Sequence, residues 1–216
     1  MESVEQAIQV EATYFLQSGP KNTGVTLQLA KKRADELGVR NILVASTRGR
    51  TAAAAAELFQ GYNLVIVTHS HGFSGPNTHR FEAQDRQAVE QYGAKILTTT
   101  HALGGMGRAI RRKFGAIQLD EVIAHTLRIF GQGMKVCAEI AVTAADSGLV
   151  RTDEDAIAIS GTGRGADTAV VIRPANTQDF FDLRIKEIIC KPRLSGDEGQ
   201  TAQAAQPAQA ATVSTG

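Results

Sequence analysis

The stretch 41-NILVASTRGRTAAAAAELF-59 decides how the rest of the chain is read: an apolar run stops at a cluster of hydroxyl, basic and glycine residues, then resumes as alanine. Ile42, Leu43, Val44 and Ala45 have the length and branching of a strand covered on both faces. Thr51 to Phe59 has the composition of a helix. In an open parallel sheet, ligands sit beyond the carboxyl ends of the strands, where a helix start offers unpaired N–H groups and a positive dipole end. Ser46, Thr47 and Thr51 there supply hydroxyls, Arg48 and Arg50 supply charge, and Gly49 lets the backbone approach a ligand closely, which together read as a phosphate cradle. An ordinary strand-to-helix turn, with Thr47 or Thr51 capping the helix and the arginines solvated, accounts for the same residues.

Working outward, residues 63–69 (NLVIVTH) and 94–101 (AKILTTTH) read as further buried strands, with an exposed helix over 80–93 between them. Strand, helix, strand, helix, strand is the pattern of parallel crossover units. Upstream, helices are expected over 3–16 and 22–37, the second opened by Asn22 and closed by Gly38. Downstream, 106–114, 119–130 and 134–150 read as helices, 156–161 and 168–174 as strands, and 180–192 as a last, edge-like strand. The tail 194–216 has almost no large apolar residue and is expected to be disordered. The expected organisation is one α/β domain over 1–193 followed by that tail.

Composition excludes several classes. The 216 residues are 43% hydrophobic and 21% charged, enough for a real core, and 23 basic against 22 acidic residues leave a net charge of +1. Nucleic acid and anionic membranes are therefore not expected partners. Cys137 and Cys190 both sit in apolar stretches and suggest buried, reduced thiols. The start MESVEQAIQVEATYF has no long apolar core, so neither a signal peptide nor a membrane span is expected, and the reading is cytoplasmic.

Two more polar clusters fall at the same sheet edge: THSHGF (68–73) and TTTHALGG (98–105). His69, His71 and His101 suggest a metal only weakly, since no carboxylate or thiol at matching spacing completes a set. Hydrogen bonding to a ligand, or a capping role in the turn, suits these histidines better, and Phe73 beside Gly72 reads either as a stacking face for a planar ring or as plain core. The loop SGTGRGADTAVV (160–171) contains Gly161, Gly163 and Ala166 in dinucleotide-fingerprint spacing, but a strand rather than a helix follows, which rejects a Rossmann site. It remains a candidate anion nest built on Gly161, Gly163 and Gly165, with Thr162 and Arg164 as donors, or else a turn in which Asp167 bonds its own backbone. Lys135, Glu139, Thr143 and Asp146 form one polar stripe on an otherwise apolar helix, either a solvated face or the wall of a crevice in which Lys135 reaches a ligand.

The motifs ILVASTRGRTA, VTHSHGF, THALGGMGRA, GQGMKVCAEIAVTAADSGL and GTGRGADTAVVIRPA, in this order, resemble the C-terminal α/β domain of pyruvate kinase, and more closely a family of stand-alone archaeal and bacterial proteins with that fold. The resemblance spans about Gly19 to Arg193. It implies a three-layer α/β/α sandwich with a mostly parallel sheet and an antiparallel edge strand. It also implies flavin mononucleotide (FMN) as a cofactor, as in some members. The catalytic barrel of pyruvate kinase is absent from this sequence, so kinase activity is not implied. The resemblance places phosphate on Ser46, Thr47, Gly49 and Thr51, beside Arg50, matching the effector loop of the kinase domain. From their shared sheet edge, ring and ribityl contacts are assigned to His69, Gly72, Phe73, Thr100, His101 and the loop Gly161, Thr162, Gly163, Arg164, Gly165, Ala166, Asp167 and Thr168, with Lys135 as a further cofactor-binding candidate. Two readings follow: an FMN protein, with oxidoreductase chemistry as one option, or a non-catalytic sensor or carrier of a phosphorylated metabolite. The expected partner is a small phosphorylated ligand, with a second copy of the chain left open. No general base is identified, although His69, His101 and Lys135 are titratable candidates.

Overall fold

A computed structural model describes residues 7–193. A seven-stranded sheet is built from β1 (Thr13–Phe15), β2 (Asn41–Ala45), β3 (Asn63–Val67), β4 (Lys95–Leu97), β5 (Ala156–Ser160), β6 (Thr168–Arg173) and β7 (Arg184–Pro192), in the order β1-β7-β6-β5-β2-β3-β4. The helices are α1 (Thr23–Leu37), α2 (Arg50–Leu58), α3 (Ala83–Gln91), α4 (Gly105–Phe114), α5 (Leu119–Arg128) and α6 (Gln132–Asp146). The chain is an α/β protein with a mostly parallel sheet. Antiparallel pairing is confined to β5–β6 and β6–β7.

The central strands are continuous apolar runs because both faces are covered. Ile42, Leu43 and Val44 are wholly buried, each removal from water being worth about 1.5–3 kcal/mol. Ile42 and Val44 join α1 and α2 in one core, with Val89 of α3; Leu43 points to the other, which α6 supplies through Met134, Cys137, Ile140 and Ala141. Alternation along one strand thus feeds two helical layers. Helix α5 packs on α6 and α4 on α5, outside the second layer. Burial pushes the Cys137 thiol up to about 12 and the Cys190 thiol up to about 11, so both behave as small apolar side chains.

The structure corrects several expectations. Residues 13–15 of the expected first helix form β1, pairing in parallel with β7 from Thr13↔Cys190 to Phe15↔Pro192; Thr13, Tyr14 and Phe15 are poor helix formers that fit a pleated surface. In consequence β7 is not the outermost strand: it lies between β6 and β1. Its first expected residues, Phe180 to Asp182, belong to a 3-10 turn. Gly38 does close α1 in the left-handed conformation, φ 67°. Asn22 makes no cap; its side-chain amide donates instead to Gln17 O at 2.7 Å. The tail 194–216 lies outside the described residues.

The sheet order fixes where a ligand can bind. From adjacent β2 and β5 the chain departs in opposite directions, to β3 and to β6, so a crevice opens beyond their carboxyl ends.

Candidate functional site

The loops after β2, β3 and β4 are laced side by side across this edge. Ser46 N–H donates to Val67 O (3.0 Å) and Thr68 N–H to Leu97 O (2.9 Å), extending the parallel ladder just past the strands. The hydroxyls of Thr68 and Thr98 meet at 2.7 Å. Polar side chains here end the strands sooner than periodicity suggests, at Val67 and Leu97.

At the start of α2, the Ala52 N–H donates to Ser46 Oγ (3.3 Å) and the Ala53 N–H to Gly49 O (2.8 Å). The cap is therefore made by Ser46, not by Thr47 or Thr51. Among the described residues the N–H groups of Arg50 and Thr51 find no acceptor, as expected for the first positions of a helix. Gly49 stands at φ 113°, and a Cβ there would collide with the Asp85 side chain of α3. Close approach at Gly49 is thus made by the protein's own carboxylate, whose Oδ2 is buried without a hydrogen bond. Thr51 is buried while Arg48 and Arg50 are exposed.

Beyond β3 and β4 the rings gather. The Phe73 ring centroid lies 4.1 Å from that of His69 and 5.2 Å from that of His101, and the two imidazoles are 5.2 Å apart. The Arg108 guanidinium covers the Phe73 ring at 4.6 Å. The Thr47 hydroxyl sits 3.4 Å from His69 Nε2, joining the α2 loop to the cluster, while His69 Nδ1 is buried with no partner. Burial, aided by His101 and Arg80, pulls the His69 pKa down to about 4. Burial likewise lowers His101, with Glu139 resisting. Both rings are neutral at pH 7. His71 turns away to stack on His79 (4.7 Å), and His79 Nε2 lies 3.0 Å from His69 O and 3.2 Å from the Thr68 hydroxyl. Gly72 lies in an open turn at φ 76°, and exposed Thr100 rests its methyl against the α4 start at Gly105.

The polar stripe of α6 is not a solvated face. Lys135, Glu139 and Thr143 are 5%, 6% and 5% exposed, and Lys135 Nζ meets Glu139 Oε2 at 2.6 Å. Glu139 Oε1 accepts the Leu103 N–H at 3.2 Å. Burial lowers the Lys135 pKa against the opposing pull of Glu139. Burial pushes the Glu139 carboxyl up, but Lys135, His101 and the Leu103 N–H together hold it below its usual range. Only Asp146 is exposed, where it accepts from Asn176 and Thr177.

The loop after β5 packs its ends inward and exposes its tip. Asp167 is wholly buried; its Oδ2 accepts from Gly19 N–H (2.8 Å) and Thr162 N–H (3.2 Å), and its Oδ1 from the Thr168 hydroxyl (2.9 Å). The Ala166 N–H donates to Thr23 Oγ1 (3.0 Å), and the Thr26 hydroxyl donates to Ala166 O (3.3 Å). A Cβ at Gly161 would meet Gly165 O at 2.5 Å, and one at Gly165 would meet Pro20 Cα at 2.5 Å. These glycines serve packing of the loop against the start of α1. Thr168 lies against Gly133 of α6. Gly163 and Arg164 are the exposed residues of this loop.

The structure therefore brings together Thr47, His69, Phe73, His101 and the start of α2, with Lys135 behind them, while Ala166, Asp167 and Thr168, at the end of β5, are buried and engaged within the protein. Sequence reasoning missed Asp85, Arg108 and Arg128. Arg108 follows the glycines of GGMGRA and recurs with Arg111 at helical spacing on a mostly exposed helix, a signal of one cationic face.

Among the described residues no helix is long and apolar enough to cross a membrane. Residues 25–172, well over half of the chain, match the family described as pyruvate kinase, alpha/beta domain; β2 to β5, the loop from β2 into α2 and the His69–Phe73–His101 cluster lie within that span, while β1 and β7 lie outside it. The chain belongs to the pyruvate kinase α/β domain family.

Proposed function

We propose that this protein binds a phosphorylated ligand carrying a planar ring, with FMN as the cofactor implied by the family resemblance. The observation that carries the reading is the meeting of the His69–Phe73–His101 cluster with the start of α2, joined through Thr47. Rings supply stacking faces, the orphaned His69 Nδ1 offers a polar handle, and the N–H groups of Arg50 and Thr51 suit an anion. At the ring end the side chains are of the types a flavin ring stacks on, and it would enter by parting His69 from Phe73; at the phosphate end Asp85 crowds Gly49, so a phosphate there depends on Arg48 and Arg50 to offset that carboxylate. When bound, FMN would supply hydride or electron transfer. The residues of the chain would bind and orient it, with His69 and His101 as uncharged ring partners and the Arg108 guanidinium beside them on Phe73.

The test is to purify the protein, record its visible absorption, and titrate stripped protein with FMN and with riboflavin while following flavin fluorescence. FMN binding tighter than riboflavin binding supports the reading; failure to take up either overturns it. A second reading, a carrier or sensor of a phosphorylated metabolite, draws support from the 4.1 Å packing of His69 on Phe73, which leaves a third ring no slot unless the two part. Sugar phosphates that bind while both flavins fail would select it.

A further inference from the structure

Between α4, α5 and α6 lies a cavity of ≈ 50 Å³ walled by Arg108 and Arg111 of α4, Arg128 of α5 and Lys135 of α6. Its charges do not balance. Glu121 holds Arg111 Nε at 2.7 Å, and Glu139 holds Lys135 Nζ at 2.6 Å. Among the described residues, neither Arg108 nor Arg128 has a carboxylate within ion-pair distance. Arg128 Nε donates to the neutral Gln132 Oε1 (2.7 Å), and Arg108 rests on the Phe73 ring. Neither contact cancels a charge, and a guanidinium cannot shed its proton at ordinary pH. Both side chains are partly buried, so solvent screens them incompletely. Burial lowers both guanidinium pKa values; neighbouring arginines add to the effect, while Glu139 and Glu121 oppose it from beyond ion-pair distance.

We propose that this cavity is a tetrahedral-oxyanion site, filled by phosphate or by the phosphoryl end of a larger ligand and held by Arg108 and Arg128 with Lys135 at its wall. The volume holds a few waters or one such ion and is too small for a sugar or an aromatic ring. Guanidinium forks match the oxygens of such an ion, and two of them supply the two charges the cavity wall leaves uncompensated. The site is distinct from the start of α2 and does not rest on any ligand binding there. Through Arg108 it touches the ring cluster, so an end group seated here could belong to a ligand whose remainder lies at Phe73.

The test is calorimetric titration of the full, flavin-free chain with inorganic phosphate, in parallel with Arg128→Gln, Arg108→Gln and Arg48→Gln, the last altering only the α2 loop. The expected result is a phosphate-binding event that weakens about tenfold or more in each of the first two variants and survives in the third, which removes only binding at the start of α2. Circular dichroism and phosphate-free melting should show Arg128→Gln folded and no less stable than the parent, since it removes an unanswered charge; should it fail to fold, Arg108→Gln alone decides. Absence of phosphate binding by the parent, or binding lost in Arg48→Gln but kept in the other variants, overturns the proposal. Phosphate that competes with FMN identifies the ion as a ligand's end group, whereas simultaneous binding identifies a free ion. Failure of all flavin binding leaves the phosphate measurement intact, so the two readings fall separately.

Discussion

Asp85 occupies the space that a Cβ on Gly49 would need, so the glycine at the start of α2 is required by a contact within the protein before any ligand is considered. Two costs add at this position, a positive φ of 113° and a collision with a side chain. Gly49→Ala is expected to destabilise the fold by about 1–3 kcal/mol. Adding Asp85→Gly, which removes the Cβ that the new side chain would meet at 2.2 Å, should recover the collision and leave the backbone strain. Urea melts of the two single variants and the double variant measure this; strictly additive losses would show that the two residues do not press on each other.

Asp85 also bears on binding, because its buried, unbonded Oδ2 places a carboxylate beside the N–H groups that would receive a phosphate. Asp85→Asn keeps the shape and removes the charge. It should strengthen FMN or phosphate binding at α2 about two- to tenfold, the range set by one partly screened charge. Fluorescence titration checks it, and unchanged affinity would place the phosphoryl group away from this helix start.

Asp167 gathers three donors from three places in the chain, Gly19, Thr162 and Thr168. Removing it leaves buried donors without an acceptor. Asp167→Ala is expected to cost about 2–4 kcal/mol in chemical melts, while the surviving folded fraction binds ligand with parental affinity. A loss of affinity in a variant of undiminished stability would instead restore this loop to the binding site.

The contrast between Gly49 and Asp167 shows what a sequence conveys and what it withholds. The buried runs 42–45 and 63–67 could be read as parallel strands because both faces are covered, a local property of the residues themselves. Strand β1 could not, since Thr13 to Phe15 owe their conformation to a partner more than a hundred and seventy positions away. The convergence of His69, Phe73 and His101 was legible because all follow strands that end at one edge. The glycines at 161 and 165 permit close approach by something, and only the fold reveals that the something is the loop itself and Pro20. Arg128 escaped notice because its meaning depends on Glu139 and Glu121 being already engaged by other cations.

The histidines give the fold a pH dependence with a definite sign. In the folded state His69 titrates near 4, below its unfolded value of about 6.5, and His101 is lowered in the same direction. The unfolded chain therefore binds more protons between those values, so this contribution is complete above about pH 6.5 and is lost as pH falls towards 4. Melting curves across that window should show declining stability, with a shallower decline in His69→Gln. A steeper decline in the variant would mean that the charged ring is favoured in the folded protein.

Lys135 and Glu139 lie one helical turn apart and are both nearly excluded from solvent, so each is the other's main compensation. Breaking the pair from one side leaves a buried charge. Lys135→Met is expected to lose about 3–5 kcal/mol, and Glu139→Gln a comparable amount, since Glu139 also accepts the Leu103 N–H. Replacing both by apolar residues of similar volume should cost much less than the sum, because the desolvation penalty of two ions disappears with them. If the pair serves only the core, the double variant keeps its phosphate and flavin affinities. If Lys135 faces the bound oxyanion, the double variant stays folded and loses phosphate affinity, and the divergence between melting and titration separates a structural ion pair from one that is part of the site.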